Sequence, residues 1–348
     1  MSLSLIQSYT KRLVAVLLVL RVLSGTGAPA GAFLDERTET QALEALGEVL
    51  HSEGASSADP AFFPTCPAAE YHEYVDGICK HCGQPPVYLA ERLPDRYFED
   101  AQQRGTVVKA DVGYVDVHVY LPYGYDENAQ YNVMIIMPNR GGSADYTIDS
   151  FRRSEQGAMS GQRLFDHMIE DKLIQPTIFV SFALHTLISF DSCGRWLRMY
   201  LLPYLGDNFA TYAEDGSIEA LQAAREHFGI GGYSFGAFYL YNDAMQPSLD
   251  LFGSFFPVSG GDCESNKILL QEGLSDEYRI NCYYLGVGGE DGRRKTYRSF
   301  QLDVIDASER LVDGENAFYV EVSGGHTYYV FFLLTFNALQ LMFQETSH

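Results

Sequence analysis

Residues 232–236 read GYSFG, a serine between two glycines that follows a short apolar run and precedes helix-forming residues. This order of strand, sharp turn and helix is typical of a nucleophile elbow, in which a strained turn exposes the serine hydroxyl. A serine hydroxyl is a weak nucleophile until an imidazole accepts its proton and a carboxylate orients that imidazole. The pentapeptide therefore predicts acyl transfer by Ser234, with an ordinary tight turn as the alternative.

An acid and a histidine follow the serine in the order that such a site requires. The apolar run 280–287 ends in GGED, which contains Asp291, and the run 317–322 ends in SGGH, which contains His326. Each candidate lies just past a predicted strand, where α/β folds place their sites. We expect His326 to act as base and then acid, and Asp291 to orient it. Both could instead be surface turn residues, and Glu290 is adjacent to the proposed acid.

A tetrahedral intermediate also needs backbone N–H donors for its oxyanion. The residue after the nucleophile, Phe235, is expected to supply one of them. The apolar run 132–137 is followed by PNRGG, and we expect the second donor in this loop, at Arg140.

Apolar patterning predicts the elements that hold these residues. Continuous apolar runs at 133–137, 177–182 and 252–258 are typical of buried parallel strands, whereas alternation over 115–121 indicates a half-buried strand near an antiparallel edge. Helical spacing covers four further segments: 162–172, 194–204, 297–312 and 327–343. With 46% hydrophobic residues, the chain is expected to form an α/β fold with a mostly parallel central sheet flanked by helices.

Several segments together resemble one family. In chain order they are VDVHVYLPYGYDENAQYNVMIIMPNRGGS, HFGIGGYSFGAF, FFPVSGGD, GGED and SGGHTYYVF. They are similar to the landmarks of the esterase D-like, family-one carbohydrate esterases, which include feruloyl and acetylxylan esterases. The resemblance covers residues 93–348. It implies an α/β-hydrolase fold and cofactor-free hydrolysis of acyl esters on plant cell-wall carbohydrate such as xylan, with Ser234, Asp291 and His326 as the triad.

The chain departs from this family at one position. Relatives usually carry His-Gly after the strand that leads into the oxyanion loop, where this chain has Pro138 and Asn139. Asparagine tolerates left-handed backbone and could replace the glycine, but proline lacks a donor and stiffens the approach. The identity of the second oxyanion donor therefore stays open.

The chain is rich in aromatic residues, with 24 tyrosines, 22 phenylalanines and one tryptophan. Aromatic side chains at this density lie mostly in the core, although some could contact a sugar or an aromatic acyl group. The candidates for substrate binding are Tyr233 beside the nucleophile, Tyr328 after the histidine, and Trp196.

The first 30 residues have the layout of a secretory signal peptide. Lys11 and Arg12 precede the apolar run 13–20, and small residues follow at 25–32. The run is too short for an ordinary membrane span, although an uncleaved anchor or a cytoplasmic amphipathic segment is an alternative. A net charge of −22 disfavours nucleic acid and anionic membranes as partners. We expect a secreted or cell-surface bacterial protein that meets an acylated polysaccharide or oligosaccharide.

Two segments separate the signal from the catalytic domain over 93–348. Residues 31–65 read as a helical segment and a linker, and 66–92 as a small zinc knuckle whose four ligands would be Cys66, His72, Cys79 and Cys82. His81 could replace His72. Six cysteines in an exported chain could instead form disulfides, and Cys193, Cys263 and Cys282 are expected to be buried thiols or to form bridges.

Two other classes of function remain compatible with the sequence. One is a sugar-binding or adhesion module that keeps the fold without turnover. The other is a different serine hydrolase, or an acyltransferase, that uses the same triad.

Overall fold

A computed structural model describes residues 74–75, 78–79, 90–139, 141–187, 190–245, 248–261, 278–307 and 310–343. The predicted signal peptide, helical segment and linker lie outside this part of the chain. So do several predicted site residues: Cys66, His72, His81, Cys82 and Arg140. The zinc site and the domain bounds therefore stay predictions.

Twelve strands occur in the described residues, and eight of them form one sheet. In chain order they are β1 (Tyr74–Val75), β2 (Ile78–Cys79), β3 (Thr106–Val112), β4 (Val115–Leu121), β5 (Asn132–Met137), β6 (Arg152–Arg153), β7 (Ala158–Met159), β8 (Thr177–Phe182), β9 (Phe228–Tyr233), β10 (Ser254–Val258), β11 (Cys282–Gly288) and β12 (Ala317–Val322). The pairs β1–β2 and β6–β7 form separate two-stranded antiparallel sheets. Strand β2 holds Cys79, whose partner across the hairpin is Tyr74.

The large sheet has the strand order β12-β11-β10-β9-β5-β8-β4-β3. All neighbours from β12 to β8 are parallel, and β4 is antiparallel to both β8 and β3. The prediction of a mostly parallel sheet with an antiparallel region is therefore confirmed. Because β5, β9, β10, β11 and β12 are successive neighbours, the loops at their carboxyl ends lie along one edge of the sheet.

Seven α-helices cover the sheet within the described residues. They are α1 (Gly161–Glu170), α2 (Phe190–Trp196), α3 (Leu202–Asn208), α4 (Ile218–Ala223), α5 (Phe235–Tyr239), α6 (Arg294–Ala307) and α7 (Tyr328–Leu339). Wider π-helical turns continue α2 over Leu197–Leu201 and α5 over Leu240–Ala244. Short 3₁₀ turns occur at Asp95–Phe98, Ala144–Tyr146, Leu184–Thr186 and Arg225–His227.

The core lies on both faces of the sheet. In β5 every residue is buried, with Val133, Ile135 and Met137 in one apolar cluster and Met134 and Ile136 in the other. A strand that is covered on both faces has no polar side, which explains its continuous apolar sequence.

Strand β4 is more buried than its alternating sequence predicted. His118 and Tyr120 are buried at 3% and 0% exposure, although they lie on the face that was expected to meet solvent. Their polar atoms have partners: His118 Nδ1 donates to Asp149 at 2.6 Å, and the Tyr120 hydroxyl donates to Asp166 at 2.8 Å. The prediction of a half-buried strand was wrong, because these hydrogen bonds replace the ones that the polar atoms would otherwise make with water.

Cys193 and Cys282 are buried thiols, in agreement with the sequence analysis, while Cys263 lies outside the described residues. No described helix is both long enough and apolar enough to cross a membrane.

Candidate active site

Ser234 lies in a strained turn between β9 and α5. Its backbone has φ 53° and ψ −105°, a conformation that costs a non-glycine residue free energy and is concentrated at functional sites. Its N–H donates to the carbonyl of Val258 at 2.8 Å, which ties the turn to β10. The serine is half-buried, so its hydroxyl stands at the end of the sheet rather than inside the core.

The glycines on either side of the turn are needed for close packing. A Cβ atom on Gly232 would lie 2.6 Å from the carbonyl carbon of Gly236, and one on Gly236 would lie 2.4 Å from the carbonyl oxygen of Met137. Both distances are shorter than real Cβ contacts, so the small residues of the GYSFG motif permit the strand and the helix to meet here.

The structure brings Ser234, His326 and Asp291 together from three separate loops. His326 Nε2 lies 2.9 Å from Ser234 Oγ, and His326 Nδ1 lies 2.6 Å from Asp291 Oδ2. Because a carboxylate can only accept, Nδ1–H donates to Asp291, and Nε2 is then the acceptor for the serine proton. This is the geometry in which one imidazole connects a hydroxyl with a carboxylate.

The acid and the histidine have different environments. The Asp291 side chain is 3% exposed, whereas that of His326 is 38% exposed. The backbone N–H of Arg293 donates to Asp291 Oδ1 at 3.0 Å, so each carboxylate oxygen has one partner among the described residues. A buried and hydrogen-bonded carboxylate can hold the imidazole in one orientation while its Nε2 edge stays open to substrate and water.

The loop after β5 lies beside the elbow, as the sequence predicted. The carbonyl oxygen of Pro138 would lie 2.6 Å from a Cβ on Gly236, so this loop packs against the first turn of α5, which begins at Phe235. Arg140, the predicted second donor, is outside the described residues. The neighbouring Asn139 accepts a hydrogen bond at Oδ1 from the Tyr328 hydroxyl at 2.9 Å.

Tyr328 is held by aromatic and cationic neighbours. The guanidinium of Arg152 lies 3.5 Å from the ring centroid of Tyr146 and 5.1 Å from that of Tyr328. Burial raises the pKa of Tyr328, and the nearby Arg152 and the Asn139 hydrogen bond offset part of this effect. The hydroxyl therefore stays protonated near neutral pH and can donate to the loop.

Two residues predicted to bind substrate lie in the core instead. Tyr233 is 1% exposed, and its hydroxyl pairs with that of Thr335 on α7 at 2.8 Å. Trp196 is 2% exposed, and its indole N–H donates to the carbonyl of Val112 at 3.0 Å. Both predictions were wrong. Successive side chains of a strand point to opposite faces, so Tyr233, at the end of β9, is directed into the core. Trp196 packs against Phe182 of β8.

A cavity of about 300 Å³ opens beside the serine. It is lined by Ser234, Phe235, Phe238, Gly260, Gly261, Arg293 and Tyr297. The sequence analysis missed Phe238, Arg293 and Tyr297. The spacing along the sequence was one available signal. Arg293 lies two residues after Asp291, and Tyr297 lies four residues after Arg293, so both are near the start of α6, the helix that follows β11.

No cluster of three or more metal-binding side chains occurs in the described residues. A serine, a histidine and an acid in this arrangement can activate the serine by proton transfer alone.

Parts of the chain are similar to known proteins in sequence and in fold. No family model matches the chain. A segment of 172 residues is 31% identical to endo-1,4-beta-xylanase Y of Acetivibrio thermocellus, covering 48% of this chain. The chain spans only about 15% of the length of that curated relative.

Solved structures match over most of the described chain. The feruloyl esterase module of Clostridium thermocellum, solved in complex with sinapinate, is 23% identical, with a TM-score of 0.63 over 76% of this chain and 98% of that one. The chain has an α/β-hydrolase fold. A family-one ferulic acid esterase of Anaeromyces mucronatus matches at 17% identity with a TM-score of 0.51, covering 73% of this chain and 97% of that one. The predicted resemblance to the family-one carbohydrate esterases is thereby confirmed.

Proposed function

We propose that this α/β-hydrolase chain is a serine esterase that hydrolyses acyl esters on plant cell-wall carbohydrate. The observation that carries the proposal is the position of His326, 2.9 Å from Ser234 Oγ and 2.6 Å from Asp291 Oδ2. The similarity in fold to feruloyl esterases, and the matched segment of a xylanase, support the choice of substrate class.

The reaction follows from these contacts. Ser234 Oγ attacks the ester carbonyl carbon while His326 Nε2 accepts its proton, and Asp291 stabilises the resulting imidazolium. The oxyanion is bound by the N–H of Phe235 and by a second donor in the loop after β5, for which Arg140 is the candidate. Collapse of the tetrahedral intermediate breaks the ester C–O bond, and the imidazolium gives its proton to the departing sugar oxygen, which leaves as a hydroxyl.

Hydrolysis of the acyl-serine completes the cycle. Water enters where the alcohol left, His326 accepts its proton, and the carboxylic acid is released as Ser234 regains its hydrogen. The His326 side chain is 38% exposed, which favours reaction with water over transfer to another alcohol. The short contacts at Asp291 and the half-buried position of Ser234 likewise favour turnover over simple sugar binding.

Export is part of the same proposal. The basic and apolar pattern in residues 1–30 supports secretion, and a polysaccharide substrate would be met outside the cell. A structural zinc in 66–92 is proposed with it, bound by Cys66, His72, Cys79 and Cys82; metal analysis of the purified chain should then give one zinc per molecule.

The decisive experiment is Ser234→Ala assayed on methyl ferulate and p-nitrophenyl acetate. We expect all triad-dependent turnover to disappear while the circular dichroism spectrum stays unchanged. Ser217→Ala is the matched control, because its hydroxyl accepts a hydrogen bond from the N–H of Ala220 at the start of α4 and is not part of the site. Activity of Ser234→Ala equal to that of the control would contradict the proposed function.

A further inference from the structure

Two exposed tyrosines lie at the turn between β3 and β4, away from the cavity. Tyr114 is 70% exposed and Tyr200 is 43% exposed. The ring of Tyr200 lies against the turn itself, since a Cβ on Gly113 would be 2.9 Å from its Cδ1 atom, and Tyr114 is the next residue of that turn. The two side chains form an exposed aromatic surface, here called the tyrosine patch. Clustered apolar side chains on a surface mark sites of interaction.

The backbone at Tyr114 is strained. Val112 and Val115 pair across the hairpin, so the turn has two residues, Gly113 with φ 53° and Tyr114 with φ 66°. Two-residue turns with positive φ at both positions favour glycine, asparagine and aspartate, and a bulky residue there costs free energy. The ring gains little burial in return because most of it is exposed. A tyrosine held in this conformation therefore indicates a role outside the packing of the fold.

The helix α2 and its π-helical continuation hold the patch in place. The indole N–H of Trp196 donates to the carbonyl of Val112 at 3.0 Å, and Tyr200, four residues later, covers Gly113. Residues four apart lie on the same face of a helix, so this face contacts two successive residues of the hairpin. Tyr200 belongs to the π-helical turn Leu197–Leu201, a rare conformation that is frequent at functional sites. The patch is therefore a supported surface that needs little ordering before it binds a ligand.

The patch lies at the same edge of the sheet as the nucleophile. Strand β4 is antiparallel to β8, and its residue Val117 pairs with Phe182, the last residue of β8. Tyr114, three residues before Val117, therefore lies beyond the carboxyl end of β8. Ser234 follows β9, which runs parallel to β8 through β5. Since β4 is three strands from β9 in the sheet, the two sites are separated by roughly 15 Å along this edge.

The size and chemistry of the patch fit a sugar chain better than a protein. A stable protein interface buries about 800 Å² on each partner, whereas a tyrosine buries at most about 250 Å², so two of them fall short. A sugar ring has an apolar face of C–H groups and a rim of hydroxyls. A tyrosine matches both features, because its ring is apolar and its hydroxyl donates and accepts hydrogen bonds.

We propose that Tyr114 and Tyr200 bind sugar rings of the polysaccharide main chain, a few units away from the ester that lies at Ser234. The inference rests on the proposed function, which supplies the substrate class, and it adds a contact region outside the cavity. A polysaccharide held at the patch presents its ester groups to Ser234 at a raised effective concentration. The patch therefore favours polymeric esters and has no such effect on small ones.

The test measures binding of unesterified xylohexaose by calorimetry, and the ratio of kcat/KM on feruloylated xylan to kcat/KM on methyl ferulate. Tyr114→Asn removes the ring and keeps a residue that suits the turn, so the fold is retained. We expect this variant to raise the Kd for xylohexaose about tenfold and to lower the kcat/KM ratio by a similar factor. Tyr200→Ala should act in the same direction. Tyr114→Phe should stay within about threefold of the wild-type Kd, because it keeps the ring face.

Tyr123→Asn is the matched control. Tyr123 is also an exposed tyrosine, but it follows β4 at the opposite edge of the sheet, so its loss should change neither quantity. Xylohexaose binding that is unaffected in Tyr114→Asn, or equally weakened in Tyr123→Asn, would overturn the inference. So would a wild-type dimer in sedimentation that Tyr114→Asn dissociates, because the patch would then be a contact between copies of the chain.

The two proposals fail in different ways. A wild-type protein that hydrolyses methyl ferulate and does not bind xylohexaose would overturn the role of the patch alone. A wild-type protein that binds xylohexaose through Tyr114 and hydrolyses neither methyl ferulate nor p-nitrophenyl acetate would contradict the esterase function and leave the binding surface in place.

Discussion

The hydroxyl of Tyr328 donates a hydrogen bond to Asn139 Oδ1 across 2.9 Å. Tyr328 begins the helix that follows His326, and Asn139 lies in the loop that packs against the elbow. The contact therefore connects the helix after His326, the predicted base, with the loop that is expected to bind the oxyanion.

Tyr328→Phe should reduce kcat on methyl ferulate by roughly three- to tenfold, with a smaller change in KM, because a misplaced oxyanion donor weakens transition-state binding. Steady-state kinetics measure both parameters. Tyr329→Phe is the control, since the adjacent hydroxyl accepts from the N–H of Leu93 instead. A higher KM with unchanged kcat in Tyr328→Phe would point to substrate binding rather than to positioning of the loop.

Asp291→Asn should lower kcat about 10³- to 10⁴-fold, because an amide neither stabilises the imidazolium nor holds the correct tautomer. The neighbouring Glu290→Gln is the matched control: its side chain is exposed, and its backbone N–H bonds to the carbonyl of Gly324. Rates on p-nitrophenyl acetate would identify the acid directly. If the Glu290 variant lost activity and the Asp291 variant kept it, the assignment of the acid would be wrong.

Gly236→Ala should destabilise the fold by about 1–3 kcal/mol, the usual range for overpacking at a closely packed position. The added methyl group would lie 2.4 Å from the carbonyl oxygen of Met137, so the strand end or the elbow must move. Gly292→Ala is the comparison, because nothing lies within 4 Å of the Cβ that it would add. Urea unfolding monitored by fluorescence measures both; equal midpoints for the two variants would show that the close approach is not required.

Asp250→Asn should reduce stability at pH 7 by about 1–2 kcal/mol, as expected for lost hydrogen bonds to a charged group. Arg198 contacts both carboxylate oxygens, at 2.9 and 2.7 Å, and Gln222 donates to one of them at 2.7 Å. Burial alone would raise the pKa of Asp250, but these bonds outweigh it and hold the pKa below its ordinary value of 3.8.

The sign of the pH effect follows from that direction. Since the folded-state pKa is the lower one, the contribution of Asp250 is fully present above pH 3.8 and is lost as the pH falls through the folded-state value. The difference in free energy of unfolding between wild type and Asp250→Asn should therefore be smaller at pH 3 than at pH 7. Asp111→Asn, at an exposed position of β3, should follow the wild type at both pH values; a constant difference between Asp250→Asn and wild type would contradict the proposed linkage.

The sequence predicted the sheet well wherever burial is complete. The expected strands at 132–137 and 177–182 have the same bounds in the structure, because every residue in them is buried and the apolar run ends where the strand ends. The strand at 317–322 also has the expected bounds, although it lies at the edge of the sheet and two of its residues are only partly buried. Strand β3 was missed. Its sequence, TVVKADV, lies at the edge of the sheet with exposed polar residues, so it lacks the continuous apolar signal of the centre.

The direction of side chains near the site was harder to predict than their position along the chain. Ser234 and Tyr233 are adjacent, yet the serine lines the cavity while the tyrosine is enclosed beneath it. The positive φ of Ser234 reverses the course of the backbone, and no periodicity in the sequence records that reversal. Arg293 was missed for a related reason, since the cavity exists only after β9, β11 and α6 have packed together.

The hydroxyls of Tyr233 and Thr335 pair at 2.8 Å in the core, and Tyr233 directly precedes Ser234. Tyr233 also stacks on Phe331, with centroids 5.1 Å apart, and Phe331 in turn meets the imidazole of His326 edge-on at 5.1 Å. These buried contacts join β9 to α7, and they help to set the distance between Ser234 and His326. The value of kcat/KM should accordingly be as sensitive to substitutions at these buried residues as to substitutions that line the cavity.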